Sequence, residues 1–183
     1  MHLTMHHRFD APLEAVLETL VGAEYPRFLA ANHSFFAAIE PLALETSPTH
    51  VARSLRYRAR PFITRLGVFS LPASWFVWVE QSRLDLARAR LTFDNVPEVE
   101  SVRDKVVNRG VMQFRTQRGE SGRFYTVRES RFELALEVAP LYRPLADAAL
   151  GMVARQLGSS LDEEARLLAR WLAAGDDALA LSA

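Results

Sequence analysis

Several groups of residues in this chain could carry chemistry, and their spacing decides how far each goes. His2, His6 and His7 sit close together near the start. In an extended strand, His2 and His6 would stand roughly 13 Å apart with His7 on the other face, which is poor geometry for a shared metal. His33 and His50 fall near predicted turns with no acidic partner at metal-ligand spacing. The carboxylate pairs Glu163-Glu164 and Asp176-Asp177 lie on or beyond the last predicted helix and read as solvated surface. Nucleophile elbow, phosphate loop and dinucleotide fingerprint are missing, and Gly119-Glu120-Ser121-Gly122 reads as a hairpin turn. The sequence therefore assigns no catalytic residue, no metal site and no cofactor.

The arginines are more informative. Strand alternation places Arg56, Arg58 and Arg60 on one face, where solvent is the expected environment. Arg53 falls on the opposite face with Val51, Leu55, Tyr57 and Ala59. An inward arginine needs a carboxylate partner or the acidic head of a bound lipid. Arg128 poses the same question, with Glu129 and Glu133 as candidate partners. One polar group at the end of an apolar cavity would orient an amphipathic ligand, so Arg53 and Arg128 are both candidate binding residues.

Around them stands a set of large apolar side chains. Ser74–Val79 is apolar on both faces, so of Trp75 and Trp78 one should point inward and the other outward. Tyr57, Phe93, Phe114 and Phe124 belong to other predicted strands and could line the same concave face, with Met112 and Met152 as adaptable lining. Core packing explains any one of them. As a set they describe an apolar pocket. The segment Pro61–Pro72 carries Phe62, Ile63, Leu66, Phe69 and Leu71 and must bury them somewhere. It reads either as a fixed lid or as a gate that admits ligand. As a gate, it would make transient membrane contact with Arg60 and Arg65 near headgroups.

Periodicity supplies the elements that position these residues. Leu3–Phe9 reads as a strand, followed by a helix capped at Asp10 or Ala11 with Pro12 in its first turn and stopped by Gly22. Tyr25, Phe28 and Leu29 mark a second short helix. Ile39–Thr46 and His50–Arg60 form a hairpin about Ser47-Pro48-Thr49, followed by strands at Trp75–Ser82 and Arg90–Val96. Val99–Arg109 is open between strand and loop, and Val111–Arg118 with Arg123–Glu137 makes a second hairpin. A long amphipathic helix runs from about Pro140 to Ala174. Gly151, Gly158 and the capping-box pattern Ser160-Leu161-Asp162-Glu163 predict a break or bend near Gly158. The half before it, with Leu145, Ala149, Met152 and Val153, is the expected cavity roof, and the half after it the anchor.

Bulk properties narrow the function classes. The 183 residues suffice for one domain, and residues 1–183 are expected to form one. With 22 basic and 22 acidic residues, the chain has no global charge to attract nucleic acid or acidic membranes. With no cysteine it has no disulfide and no thiolate chemistry. No stretch reads as a signal peptide or membrane span, so a cytoplasmic location is expected.

Strand, two short helices, a multi-strand antiparallel sheet and a long C-terminal helix is the helix-grip order. On Phe9–Val16 at the strand-to-helix entry, Trp75–Glu80, the hairpin Val111–Glu137 and the helix ending at Trp171-Leu172, the chain resembles the START-like superfamily of lipid-transfer domains, pollen-allergen-type carriers and polyketide cyclases. The span from Arg60-Pro61-Phe62 through Gly67 to Trp75 is similar to an uncharacterised bacterial branch of it. The resemblance implies an α+β fold, a curved antiparallel sheet of six to seven strands wrapped around a C-terminal helix. It also implies a cavity, and it carries over no catalytic residue. A cystatin-like cone competes but has the reverse element order. Three functions follow: a carrier of a lipid, fatty acid, polyketide or similar molecule; a cyclase or aromatase using Arg53, Tyr57 or Arg128; or an interaction module with a filled core. A cavity of several hundred Å³ would exclude the third. Converging polar side chains inside it would favour the enzyme, and a smooth apolar wall the carrier. Oligomeric state stays open.

Overall fold

The computed structural model describes residues 1–66 and 69–180, the side chains of Leu66, Phe69 and residues 175–180 excepted. Strand β1 (His2–Phe9) leads directly into α1 (Leu13–Val21). Pro12 itself holds the cap position, in place of the expected Asp10 or Ala11, because its fixed φ sets the entry without a side-chain bond. The Gly22 N–H donates to the Glu18 and Thr19 carbonyls and closes the helix. Helix α2 (Glu24–Asn32) follows, then the hairpin of β2 (Phe36–Thr46) and β3 (His50–Ala59).

The Pro61–Pro72 segment contains a short ribbon, β4 (Arg65–Leu66) paired with β5 (Phe69–Ser70). Gly67, Val68 and the Phe69 side chain lie outside the described residues. Next come a 3-10 turn at Ala73–Phe76, β6 (Val77–Asp85) and β7 (Arg90–Pro97). The ambiguous stretch Val99–Arg109 divides into a four-residue helix α3 (Glu100–Arg103) and the start of β8 (Val106–Arg118). After β9 (Phe124–Leu136) and a 3-10 turn at Pro140–Tyr142, α4 (Arg143–Ala180) ends the described fold.

Seven strands form one curved antiparallel sheet in the order β1-β9-β8-β7-β6-β3-β2. Alternation sets its faces. In β9, Thr126, Arg128, Ser130, Phe132 and Leu134 are all buried, while their neighbours are at least partly exposed. The core lies between this inner face and α1, α2 and α4, with Phe9, Val16, Leu84, Phe114 and Leu168 among its most buried members.

Gly110 is required by close approach. It pairs with Phe93 on one side and Phe132 on the other, whose rings meet at 5.1 Å. A Cβ there would overlap the Arg131 carbonyl and lie 2.6 Å from the Phe93 ring.

Two expectations for α4 are corrected. The helix does not break at Gly158, and Ser160 serves as an interior residue facing His33 instead of as a cap. A Cβ at Gly158 would meet nothing within 4 Å, so that glycine is not there for close packing.

Candidate functional site

A cavity of about 120 Å³ lies between the sheet, the α1–α2 pair and α4. Its wall is built in rows by strand register. One row runs Tyr57, Trp78, Pro97. The next runs Leu55, Glu80, Asn95, and the one after Arg53, Ser82, Phe93, Gly110, Phe132. Tyr57 stacks on Trp78 at 5.4 Å and an interplanar angle of 6°. From above, α4 contributes Leu157, Ser160, Leu161 and Glu164, the i, i+3, i+4, i+7 face of one helix. The roof is therefore the stretch after Leu157, and the expected roof half with Leu145, Ala149, Met152 and Val153 does not line it.

Of the residues singled out by sequence, Arg53, Tyr57, Trp78, Phe93 and Met112 line this cavity. The others, Phe69 with its undescribed side chain apart, stand elsewhere. Phe114 is 1% exposed in the core, and Met152 is half-buried away from the cavity. Trp75 is 44% exposed because the strand starts two residues later than the aromatic run suggested, leaving Trp75 in the 3-10 turn. Phe124 has inward parity but lies at the end of β9, past the cover of the helices, and is 65% exposed. Phe62 packs on Phe35 and Phe76, with ring centroids 5.7 and 5.4 Å away, over the α2–β2 corner.

Arg53 projects inward, as its parity requires, and is held by protein groups. Its Nε donates to Ser82 Oγ at 3.2 Å, one guanidinium nitrogen donates to the Leu20 carbonyl, and another reaches Glu80 Oε1 at 3.5 Å. Arg128 is fully buried but does not reach the cavity. Its partner is Glu164, at 2.6 Å, and not Glu129 or Glu133, whose parity turns them to the other face. Arg128 also donates to His7 Nδ1 at 3.2 Å and lies 5.4 Å from the Phe9 ring centre. Glu164, read from sequence as solvated surface, is thus a buried wall residue. The Tyr25 hydroxyl donates to it at 3.3 Å, and burial together with that carboxylate pushes the phenol far above its ordinary pKa. Burial, then the Glu80 carboxylate, does the same to Tyr57, so neither phenol is a base near neutral pH.

A serine, a histidine and a carboxylate also meet at the roof. Ser160 Oγ is 3.3 Å from His33 Nε2, and His33 Nδ1 is 3.5 Å from Glu163 Oε2. Hydrogen bonding rules out a nucleophile–base pair. The Phe35 N–H donates to Nδ1 at 3.0 Å, so the ring proton is on Nε2, which donates to the Ser160 carbonyl at 2.9 Å. A ring protonated at Nε2 cannot accept the serine proton there. Glu163 accepts from the Ser34 N–H and hydroxyl at 2.7 and 2.5 Å. Burial works to raise its pKa, but these bonds outweigh it and hold the carboxyl below its usual range. The cluster pins α4 to the end of α2.

Sequence reasoning missed Glu80, Asn95, Ser160 and Glu164 as wall residues. Parity could have found two of them, since Glu80 shares a face with Trp78, and Asn95 with Phe93. Asn95 Oδ1 is buried without a hydrogen-bond partner. Among the described residues no group of three or more His, Asp or Glu side chains is arranged to hold a metal ion. No helix among them is long and apolar enough to cross a membrane.

No family model matches the sequence, and no curated protein matches it. Solved structures do. A Thermus thermophilus protein, TTHA0849, is 16% identical with a TM-score of 0.62, over 92% of this chain and 97% of that one. The Zhui aromatase/cyclase of Streptomyces sp. R1128 is 14% identical with a TM-score of 0.56, over 93% and 94%. The di-domain ARO/CYC protein BexL of the BE-7585A biosynthetic pathway is 15% identical with a TM-score of 0.59, over 93% of this chain and 49% of that one. The fold is the helix grip: a curved antiparallel sheet, two short helices after the first strand, and a long terminal helix.

Proposed function

We propose that this helix-grip chain binds a small, largely apolar molecule between sheet and α4, with the polar end of the ligand at Glu80 and Asn95. The observation that carries this reading is a mainly apolar void with a buried, unpartnered acceptor, Asn95 Oδ1, in its wall. A buried polar atom without a partner is costly, and a ligand group that completes it gains what the empty site lacks. The volume limits the size of that molecule. About 120 Å³ is short of the 300–1,000 Å³ of drug-sized sites, but close to the 150 Å³ or so that accepts a benzene ring. A single-ring body fits the cavity as it stands, while a longer lipid or polyketide would require the α2 side or the Pro61–Pro72 segment to move.

A second reading is supported by the polar groups that converge on the cavity, Arg53, Glu80, Asn95 and Glu164, together with likeness to two proteins named as aromatase/cyclase or ARO/CYC. In it the same cavity would hold a substrate for acid–base chemistry. The discriminating experiment is native mass spectrometry of the purified protein, followed by thermal-shift titration of single-ring compounds against the wild type and Met112→Trp. A bound small molecule, or a melting-point rise that Met112→Trp abolishes, supports binding in this cavity. Conversion of a bound compound would select the enzyme, and no response in either protein would remove both. Membrane contact through Pro61–Pro72 belongs to this proposal as the entry route, tested by vesicle co-sedimentation of a Phe62→Ser variant.

A further inference from the structure

The charges around the cavity are already matched. Arg53 faces Glu80, and Arg128 faces Glu164 at 2.6 Å. Among the described residues of the wall, no guanidinium is left over to receive a ligand carboxylate. Among the described wall residues, the buried side-chain atoms that make no hydrogen bond are oxygens, Asn95 Oδ1 and Glu164 Oε2, the latter ion-paired with Arg128; outside the wall Asn108 Oδ1, Ser130 Oγ and Arg128 Nε also make none. Among the described residues, the Glu80 side chain accepts only the 3.5 Å contact from Arg53. Register sets these groups side by side. Glu80 and Asn95 are direct cross-strand partners, and both stand in the cavity wall, while Asn108 lies one residue beyond the last β7–β8 pair, Asp94–Arg109. Glu80 and Asn95 therefore form a short band of acceptors across β6 and β7.

We infer that this band selects a neutral ligand that donates a hydrogen bond, a phenol or alcohol on a ring-sized apolar body, and that it rejects carboxylates. The inference rests on the cavity reading above and names its ligand class. A hydroxyl donor completes Asn95 Oδ1 or Glu80 at the point where the wall lacks a partner. A carboxylate in that place sets acceptor against acceptor and a second negative charge beside Glu80. It could reach Arg53 only by displacing Glu80, which would leave that charge buried without its partner. The fatty-acid head expected at Arg53 or Arg128 from sequence thus finds no vacant cation.

Three probes of nearly equal size separate the cases by isothermal titration: p-cresol, which donates; 4-methylanisole, which does not; and p-toluate, which is anionic. For the wild type, p-cresol should bind about tenfold or more tighter than 4-methylanisole, the worth of one buried hydrogen bond, with p-toluate weakest. Asn95→Leu should narrow the first ratio to about threefold or less with little change for 4-methylanisole, and Asn95→Ala should do the same. Equal affinities of p-cresol and 4-methylanisole for the wild type, both weakened by Met112→Trp, would overturn the donor preference and leave the cavity standing. Tightest binding of p-toluate would overturn it in favour of a carboxylate. Binding of none of the three would overturn the cavity reading and this inference together.

Discussion

Arg53 and Arg128 leave the same face of the same sheet, each from a strand one place in from an edge. They have different occupations. Arg128 is fully buried, 2.6 Å from Glu164 of α4, and caught between His7 and the Phe9 ring. It fastens the terminal helix to the sheet. Arg53 holds the end of α1 through the Leu20 carbonyl and meets Glu80 only at 3.5 Å, with 11% of its side chain exposed. Both carboxylate partners stand in the cavity wall, but Glu80 is held only by that longer contact. The difference teaches that an inward arginine is not a ligand site in itself. The tighter pair is architecture, and the looser one leaves acceptors available.

The largest expected effect attacks the Arg128 side. Arg128→Met should destabilise the fold by about 3–5 kcal/mol, because it leaves Glu164 buried without its ion-pair partner. Adding Glu164→Leu should restore most of the loss. Urea titrations of the single and double variants measure both, and a mild single-variant loss would remove the contrast with Arg53. Arg53→Met should cost less, about 1–3 kcal/mol for hydrogen bonds made by a charged group. A loss as large as that of Arg128→Met would mean that the two arginines do the same work.

Gly158→Ala separates the helix from its anchors. The position borders open space, so the variant should gain up to about 1 kcal/mol from helix propensity alone. A loss, seen as a lower melting temperature, would show that the space is used.

The smallest effect is a pH dependence. His7 faces Arg128 from β9 and Asp162 and Glu164 from α4. Burial first, and then the Arg128 charge, lower its pKa below 6.5, against the opposing pull of Asp162. The folded state therefore binds the proton less readily than the unfolded chain. The contribution is fully present above about pH 6.5 and is lost as the pH falls through the lowered folded value. Urea midpoints between about pH 7.5 and pH 5 should fall for the wild type more than for His7→Gln. Parallel curves would place His7 outside the Arg128 clamp.

Much of this was legible in the chain, and the limits have physical causes. The element order and both hairpins could be read because strand and helix periods are local. Arg53 could be placed inward because a strand alternates strictly about a known neighbour such as Leu55 or Tyr57. Trp75 is the outward member of the Trp75–Trp78 pair, but it stands in a 3-10 turn and not in the strand, because an apolar run does not say where a strand begins. Glu164 was misread because a helix carboxylate looks solvated until its partner is known, and that partner lies 36 residues earlier, on β9. Met152 was given to the roof on helical spacing alone, which fixes a helical face but not the height at which the cavity meets it.

By itself the sequence determined the helix-grip order, the inward parity of Arg53 and Arg128 and a neutral overall charge. All of these depend on neighbours along the chain. Tertiary structure alone decided which carboxylate met which arginine, and it put Glu80 and Asn95 side by side. It also set the proton of His33 on the nitrogen that disarms Ser160 and limited the cavity to about 120 Å³. Those outcomes depend on strand register and on where α4 crosses the sheet. Register and crossing are set by the packing of the whole core, which no short window of sequence contains.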